Sequence, residues 1–316
     1  QDYNNTFDSN NLTVDPNGSE KINGGTAGGF ITLSTEGLGL TFVYIDATVG
    51  WRSVQSNEYS TSGAIPTFIT ATGGTETTSS CGDYKIHTFT GPGTFCVSSI
   101  GNACGGPNSV DYVVVAGGGS GGRGGSNGAG AGAGGYRESS GAATGGYSAS
   151  PLGACVSALP VSVQGYTIAV GAGAGTNTCT GVGSDGSNST FSTIISTGGG
   201  GGGAYPCAAG RCGGSGGGGG DSQPAGSGNI PPVSPPQGNT GGTNSPAAQG
   251  QAGGGGATAA GGNGAGPGGV GGAGATSSIN GTPTTRAGGG GGGHVGATAG
   301  AGGAGGGGAG SPNNGP

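Results

Sequence analysis

The sequence predicts a small all-β amino-terminal region followed by a glycine-rich bundle of packed polyglycine II helices, with essentially no α-helix. Glycine supplies 90 of the 316 residues, about four times its usual frequency of roughly 7%. The glycines are unevenly distributed, with 17 in residues 1–110 and 73 in residues 111–316. Residues 206–316 contain no phenylalanine, tyrosine, tryptophan or leucine, so a conventional hydrophobic core cannot form there. The architecture is therefore expected to change near Val110.

The first predicted element is a β-meander module in residues 1–58. Apolar and polar residues alternate in parts of residues 11–54, and turn residues such as Asp15-Pro16-Asn17-Gly18 separate the alternating stretches. This alternation is typical of short, half-buried strands. Gly50-Trp51 begins the last strand, and Trp51 is expected in the core because of the large area that it must bury.

A linker and a second β unit are predicted next. Residues 59–80 are expected to be a linker, because the chain from residue 55 onward is rich in Ser, Thr and Gly and has few apolar anchors. Residues 81–116 are expected to form a β unit that leads into the glycine-rich domain, with a turn at Gly91-Pro92-Gly93. Within that unit, Val113-Val114-Val115 is a β-branched run typical of a buried strand.

Residues 117–316 are predicted to form a sandwich of polyglycine II helices. Such an extended helix has three residues per turn and no internal hydrogen bonds, so its backbone groups need partners on neighbouring chains. Glycine allows backbones to approach closely enough to supply them. The triplets from Gly118 to Ser126 keep one side chain per turn on a single edge. The pure glycine runs suit enclosed positions: Gly198–Gly203, Gly216–Gly220 and Gly288–Gly293.

The reversals between these helices are predicted in segments rich in turn residues. Residues 221–250 contain six prolines, and residues 276–286 contain Asn280-Gly281, and both are strong turn signals. A collagen triple helix is excluded, because glycine does not recur strictly at every third position.

Charge and motif content argue against several function classes. The chain has seven basic and 13 acidic residues and a net charge of −6, whereas nucleic-acid binding needs clustered Lys or Arg. No apolar run approaches the roughly 20 residues of a membrane span. The two histidines, His87 and His294, lie far apart and no nucleophile elbow is present. We therefore predict no enzyme activity, no nucleic-acid partner and no membrane insertion.

Three patterns that resemble ligand sites are interpreted as structural. Val113–Ala116 runs into Gly117, Gly119 and Gly122 with the spacing of a dinucleotide-binding loop. Residues 123–135 lack the apolar periodicity of the helix that such a site requires. Residues 15–20 and 181–188 resemble calcium loops but do not repeat with the required period. No cofactor and no metal are predicted.

The sulfur-containing residues give two further expectations. The seven cysteines lack paired CxxC spacing and are expected to be small buried thiols, with one or two disulfides such as Cys207 with Cys212. Methionine is absent, even at position 1, which predicts a processed product or the carboxyl-terminal part of a longer polypeptide.

From His87 to Arg137, the motifs FTGPGTFCV, VDYVVVAGGGSGG and GAGGYRES resemble the glycine-rich domain of tail-fibre proteins of marine bacteriophages. Later segments, among them PPVSPPQGN and TSSINGTPTTRAGGGGGG, continue this resemblance almost to the carboxyl end. Residues 11–54 resemble a β-repeat of phage fibres. In a motif of this fixed spacing, Tyr136 and Arg137 are expected to be structural.

The resemblance implies a receptor-binding protein at the distal tip of a tail fibre, extracellular on the virion. Its expected partners are a host cell-surface receptor, protein or glycan, and further fibre chains in a homotrimer formed through the amino-terminal β region. By analogy, the contact loops are Ser139–Pro151, Tyr205–Cys212 and Ile230–Gly238. The candidate contact residues are Tyr147, Tyr205, Arg211, Pro231, Pro232, Pro235 and Pro236.

Two alternatives remain open. A purely structural glycine-rich filament protein, extracellular or in a virion, would bind no receptor, but non-repetitive proline-rich loops favour the adhesin. An ice-binding protein can also be built from packed polyglycine helices. It would need a flat face of regularly repeated small residues, which the irregular loops do not favour.

Overall fold

The computed structural model describes residues 2, 4, 6–54, 67–79, 82–102, 105–124, 127–141, 143, 146–178, 180–206, 208–245, 249–296 and 298–312. The chain divides into two compact units. We call Gln1–Thr67 with Asn102–Gly105 the amino-terminal unit, and Phe68–Gly101 with Gly106–Pro316 the glycine-rich unit. Regular structure in both is nearly all β, mainly in small antiparallel sheets.

The amino-terminal unit consists of two antiparallel strand pairs. Its strands are β1 (Leu12–Val14), β2 (Ile31–Leu33), β3 (Phe42–Asp46) and β4 (Gly50–Ser53). β1 pairs with β2, and β3 pairs with β4. Ile22, Leu33 and Leu38 are buried. Trp51 was expected in the core but is only half-buried, and its indole N–H donates to a carboxylate oxygen of Glu20 at 2.7 Å.

The glycine-rich unit carries one larger sheet and several two-stranded ones. Its strands are β5 (Thr70–Thr72), β6 (Thr75–Thr78), β7 (Lys85–Thr88), β8 (Gly93–Ser99), β9 (Ser109–Val110), β10 (Val113–Val115), β11 (Tyr136–Glu138), β12 (Leu159–Pro160), β13 (Gly165–Ala169), β14 (Ser189–Phe191), β15 (Ile194–Ser196), β16 (Ala275–Ser277) and β17 (Thr284–Arg286). The larger sheet has the strand order β15-β14-β13-β8-β5. Its inner face buries Phe95, Val97, Tyr166 and Ile168 in one apolar cluster.

The remaining strands pair two by two. β6 pairs with β7, β9 with β12, β10 with β11 and β16 with β17, all antiparallel. Within the described part of the chain, the only helical element is a short 3-10 turn at Pro151–Gly153. The predicted valine strand is present as β10, with Val114 buried.

Part of the predicted linker is instead β-structure. Residues 59–66 and 80 of that linker lie outside the described residues, but β5 and β6 occupy residues 70–78. Threonine is β-branched and favours extended backbone, and these strands gain their stability by pairing with β8 and β7. The chain flanking Gly91-Pro92-Gly93 does turn there, yet β7 and β8 pair with other strands and not with each other.

The cysteine prediction was wrong for the described cysteines. Cys96, Cys155 and Cys212 are exposed free thiols. Successive residues of a strand point to opposite faces, so burying Phe95 and Val97 on the inner face of β8 leaves Cys96 outside. Cys207, which was suggested as the disulfide partner of Cys212, lies outside the described residues, as do Cys81, Cys104 and Cys179.

The glycine runs form no regular sheet, yet their amides are hydrogen-bonded to neighbouring segments with a repeat of three residues. In Gly198–Gly203, the first and fourth amides donate to side-chain oxygens of Asn188 and Asp185, at 2.9 and 3.0 Å. The second and fifth donate to carbonyls in segment 117–120, at 2.9 and 3.0 Å. The third and sixth donate to carbonyls in segment 215–218, both at 2.9 Å. The amides of one run thus donate to three separate neighbours.

The run Gly288–Gly293 repeats this arrangement. Its first and fourth amides donate to segment 305–308 at 3.1 and 2.9 Å, and its second and fifth donate to segment 269–272 at 2.9 and 2.8 Å. The third and sixth donate to segment 128–131, both at 2.9 Å. Backbone hydrogen bonding therefore takes over the role that side-chain burial has in an ordinary core.

Burial in the unit follows the distribution of glycine. Every residue of 198–203 and 213–220 is buried, whereas Gly119–Gly124, in the stretch expected to form an edge, is partly exposed. A Cβ added at Gly201 would lie within 3.0 Å of three backbone atoms of Gly183, and real Cβ atoms essentially never approach so closely. Only glycine fits such positions.

Candidate functional site

The four candidate prolines lie on one loop, residues 229–237, of the glycine-rich unit. Pro231, Pro232 and Pro236 are exposed and Pro235 is half-buried. Ile230 adds an apolar side chain that is 44% exposed. The peptide bonds before Pro231 and Pro235 are cis. The loop therefore presents a compact apolar surface made largely of proline.

Asn229 holds the beginning of this loop. It has a φ of +55°, a left-handed conformation that asparagine tolerates better than most residues. Its side-chain amide donates to the carbonyl of Val233 at 3.0 Å. Its side-chain oxygen accepts from the amides of Val233 and Gln237, at 3.1 and 3.2 Å. One side chain thus ties together both halves of the loop.

Gln237 anchors the other end of the loop in the protein interior. It is 0% exposed, and its side-chain nitrogen donates to the carbonyl of Pro231 at 3.1 Å and to the hydroxyl of Thr197 at 3.3 Å. Its side-chain oxygen accepts from the amide of Thr197 at 2.8 Å, and its carbonyl accepts from the amide of Tyr136 at 2.8 Å. A buried, fully hydrogen-bonded amide of this kind fixes a loop in one conformation.

A buried polar network supports the segment after β11. Glu138 is 2% exposed, and one of its oxygens accepts from the amide and hydroxyl of Ser150 at 2.9 and 2.5 Å. Tyr136 is 1% exposed. Burial, and then the neighbouring charge of Glu138, raises the pKa of the Tyr136 phenol. Arg137 pairs through its backbone with Val114 of β10, so the Tyr136-Arg137 pair lies in a strand.

The hydroxyl group of Tyr147 points into the protein. The residue is half-buried, and its phenol donates to the carbonyl of Ser139 at 3.0 Å. Burial raises the pKa of this phenol. The ring can offer a partner only its outer part, because the hydroxyl is already bonded internally.

Tyr205 and Arg211 lie on segments other than the proline loop. Tyr205 is 44% exposed and follows the run Gly198–Gly203 at the opposite end from Thr197. Arg211 is exposed and forms an ion pair with Asp185, with an Nη2–Oδ2 distance of 2.7 Å. That hydrogen-bonded ion pair raises the pKa of Arg211. These two candidates are therefore on other segments than the prolines, although the carbonyl of Gly213, two residues after Arg211, accepts a hydrogen bond from the amide of Ile230 at 3.1 Å.

The residues that sequence reasoning missed are Asn229 and Gln237. Neither is exposed, and both act by holding the prolines in place. Their sequence signal is an amide side chain on each side of a proline cluster, since such side chains can bond to nearby backbone groups.

Two of the three ligand-like patterns contain groups that are bonded within the chain. Gly117 and Gly119, in the dinucleotide-like spacing, donate to backbone carbonyls of Ser187 and Gly132 at 3.0 Å each. Asp185, in the calcium-like stretch, pairs with Arg211. Among the described residues, no group of three or more His, Cys, Asp or Glu side chains could hold a metal ion. The same part of the chain holds no helix long and apolar enough to cross a membrane.

Comparison with known proteins gives one match. The family model described as a glycine-rich domain matches residues 89–316, which is more than half of the chain. Neither the curated proteins nor the solved structures yield a match. The matched region begins just before β8 and includes all of the glycine runs and the proline loop. The chain belongs to the glycine-rich domain family.

Proposed function

We propose that this chain is the distal tip protein of a bacteriophage tail fibre, in which a rigid polyglycine II scaffold presents loops to a receptor on the host cell surface. The tail-fibre assignment rests on the resemblance of the motifs between residues 87 and 137, and the scaffold on the hydrogen bonding of the glycine runs. The protein would act outside the cell, as part of the virion.

The three-residue repeat of hydrogen bonds supports polyglycine II packing. A helix with three residues per turn directs the amides of residues i and i+3 to the same neighbour. Gly198–Gly203 and Gly288–Gly293 both follow this rule for all six amides. A regular β-strand has a repeat of two residues and would not distribute its amides among three neighbours in this order.

The fixed proline loop is the observation that carries the binding role. Receptor binding is favoured when a surface is already held in its bound conformation, because less conformational entropy is lost on association. Asn229 and Gln237 hold the loop through six side-chain hydrogen bonds. Pro232 and Pro236, which those bonds do not involve, remain exposed.

The amino-terminal unit is proposed to associate with its copies in a homotrimer. Phe30, Val43 and Ile45 are 65%, 45% and 54% exposed, and each sheet in the described residues of this unit has two strands. Isolated two-stranded sheets are marginally stable in water, so burial of these side chains against other copies would stabilise the unit.

The proposed function is tested by binding the purified full chain to candidate host cells and measuring phage adsorption. We expect saturable binding that blocks adsorption and that is lost in the double variant Ile230→Ser, Pro232→Ser. Val163→Ser, which changes an apolar side chain that is 59% exposed and lies outside the candidate loops, is the matched control and should bind normally. If no cell or envelope fraction binds the chain, the purely structural alternative replaces the adhesin. If the double variant binds normally and Tyr205→Ser loses binding, the contact surface includes Tyr205 and not the proline loop.

A further inference from the structure

A surface groove of about 310 Å³ lies between three extended segments of the glycine-rich unit. We call residues 117–123 the edge segment, residues 128–135 the central segment and residues 288–293 the carboxyl segment. Gly118, Gly134 and Gly288 line the groove, one from each segment, and Val115, Arg286, Gly305 and Gly306 are among the other residues that line it. The walls are largely backbone, so the groove can be characterised by the hydrogen-bonding groups that its walls leave unpaired.

The central segment provides unpaired donors. Its amides at residues 129 and 132 donate to segment 200–203, and those at residues 130 and 133 donate to segment 252–255, at 2.8 to 3.0 Å. Ala131 and Gly134 occupy the third position of each three-residue repeat. Their amides donate to no partner among the described residues. Gly134 lines the groove, and Ala131 lies one repeat before it.

The edge segment provides unpaired acceptors. Its carbonyls at residues 117 and 120 accept from segment 199–202 at 2.9 and 3.0 Å, and that of Gly118 accepts from Ala174 at 2.9 Å. The carbonyls of Gly119 and Gly122 accept no bond within the described chain. These two groups are again three residues apart.

The carboxyl segment provides a second row of acceptors. Its carbonyls at residues 289 and 292 accept from segment 300–303, both at 2.8 Å, and that of Gly290 accepts from Gly254 at 2.8 Å. The carbonyls of Gly288 and Gly291 accept no bond from any described residue. Of the residues with these unpaired groups, Gly134 and Gly288 line the groove, and Gly119 follows the lining residue Gly118. The other unpaired groups continue the three rows along their segments, with a repeat of three residues.

We propose that this groove binds an extended glycine-rich segment of a partner chain with the repeat Gly-Gly-X. The carbonyls of the bound segment accept from Ala131 and Gly134. Its amides donate to two acceptor rows, formed by Gly119 with Gly122 and by Gly288 with Gly291. A chain with three residues per turn presents its groups in this order, at a spacing of about 9 Å per repeat. The inference rests on the polyglycine II packing proposed above.

The requirement for glycine follows from the closeness of the walls. At packed positions of this unit, an added Cβ meets neighbouring backbone within 3.0 Å, as at Gly122 and Gly134. Two residues of each bound repeat face walls of this kind and must lack a side chain. The third faces solvent through the open side of the groove and can carry any side chain.

The experiment is a titration of the full chain with the peptide Gly-Gly-Ser-Gly-Gly-Ser-Gly-Gly-Ser, followed by amide NMR and hydrogen exchange. We expect saturable shifts and slowed exchange at Ala131 and Gly134. Gly118→Leu fills the groove and should weaken binding about tenfold or more, since hydrogen bonds to the bound segment are lost. A Cβ at Gly118 has no neighbour closer than 3.8 Å, so this variant should keep its unfolding midpoint.

Two controls make the result specific. Gly175→Leu, at an exposed position with no atom within 4 Å of its Cβ, should bind as the original chain does. The peptide Ala-Gly-Ser-Ala-Gly-Ser-Ala-Gly-Ser should not bind. The proposal is overturned if both peptides bind equally, if Gly118→Leu binds normally, or if both amides are already protected without peptide. Because the experiment uses no host cells, its failure would leave the receptor test unaffected.

Discussion

The variants Gly122→Ala and Gly121→Ala each add one methyl group to the glycine-rich unit. Comparing them tests whether its backbone segments pack as closely as they do in the structure. A Cβ at Gly122 would lie within 3.0 Å of the backbone of Gly203. A Cβ at Gly121 meets nothing nearer than the carbonyl oxygen of Ala129 at 3.5 Å, an ordinary van der Waals contact. The two variants make the same chemical change at adjacent residues and differ in the space around it.

The expected loss of stability follows from the hydrogen bonds that Gly122→Ala would break. The segment containing Gly203 must retreat by about 1 Å or more to restore normal contact. The Gly202 amide to Ser120 carbonyl bond and the Ala129 amide to Gly203 carbonyl bond, now 3.0 and 2.9 Å, would then be lost. With about 0.5–1.5 kcal/mol for each bond and the strain of overpacking, the free energy of unfolding falls by about 2–4 kcal/mol.

Scanning calorimetry of the full chain measures this difference. A loss of about 2–4 kcal/mol lowers the unfolding midpoint of a unit of this size by roughly 5–15 °C. Gly121→Ala should leave the midpoint unchanged or raise it, because alanine restricts the unfolded chain and stabilises by about 0.4–1 kcal/mol. Equal midpoints for the two variants would refute the close packing, since a loosely held chain would accept a methyl group at either position.

Three further predictions concern the proline loop, the loss of stability at alkaline pH and the proposed trimer. Gln237→Ala should lower the free energy of unfolding by about 2–4 kcal/mol, because Thr197 loses buried partners; unchanged exchange of the Thr197 amide would contradict this. The raised pKa of Tyr147 means that its contribution to stability is complete below the ordinary value of 10.0 and is lost as the pH rises through the folded-state pKa. Tyr147→Phe should therefore weaken the alkaline loss of stability, measured by calorimetry across that range, and an identical pH dependence would count against it. Val43→Ser with Ile45→Ser should convert the proposed trimer to monomers in light scattering, and a mass unaffected by the change would remove these residues from the interface.

The glycine pattern predicted the burial of the glycine-rich unit better than it predicted particular strands. A run with no side chains has few alternatives to backbone packing, and Gly198–Gly203 is buried throughout. β6 was missed because all four of its residues are exposed, so its sequence carries no apolar alternation. Its strand character comes from pairing with β7, which lies seven residues further along the chain.

The candidate loop could be located but not explained from the sequence. Six prolines between residues 221 and 250 predict a turning segment. The anchoring of that loop depends on Gln237 reaching Thr197, 40 residues earlier, and local patterns contain no information on such a contact. The exposure of Cys96 could not be predicted for a related reason, because the face of the sheet on which a strand residue lies depends on the register of strand pairing.

Close backbone packing also limits where function can reside in this unit. At enclosed positions such as Gly201, a single Cβ already meets neighbouring backbone, so no side chain with chemistry of its own fits there. Side chains able to recognise a partner are therefore confined to the loops and the edges, and both proposed surfaces lie there. The proline loop would recognise its partner through side chains and the groove through backbone groups alone. The fold should accordingly tolerate sequence change in residues 230–236 far better than in the glycine runs, where a substitution at most positions separates two segments and breaks hydrogen bonds on both.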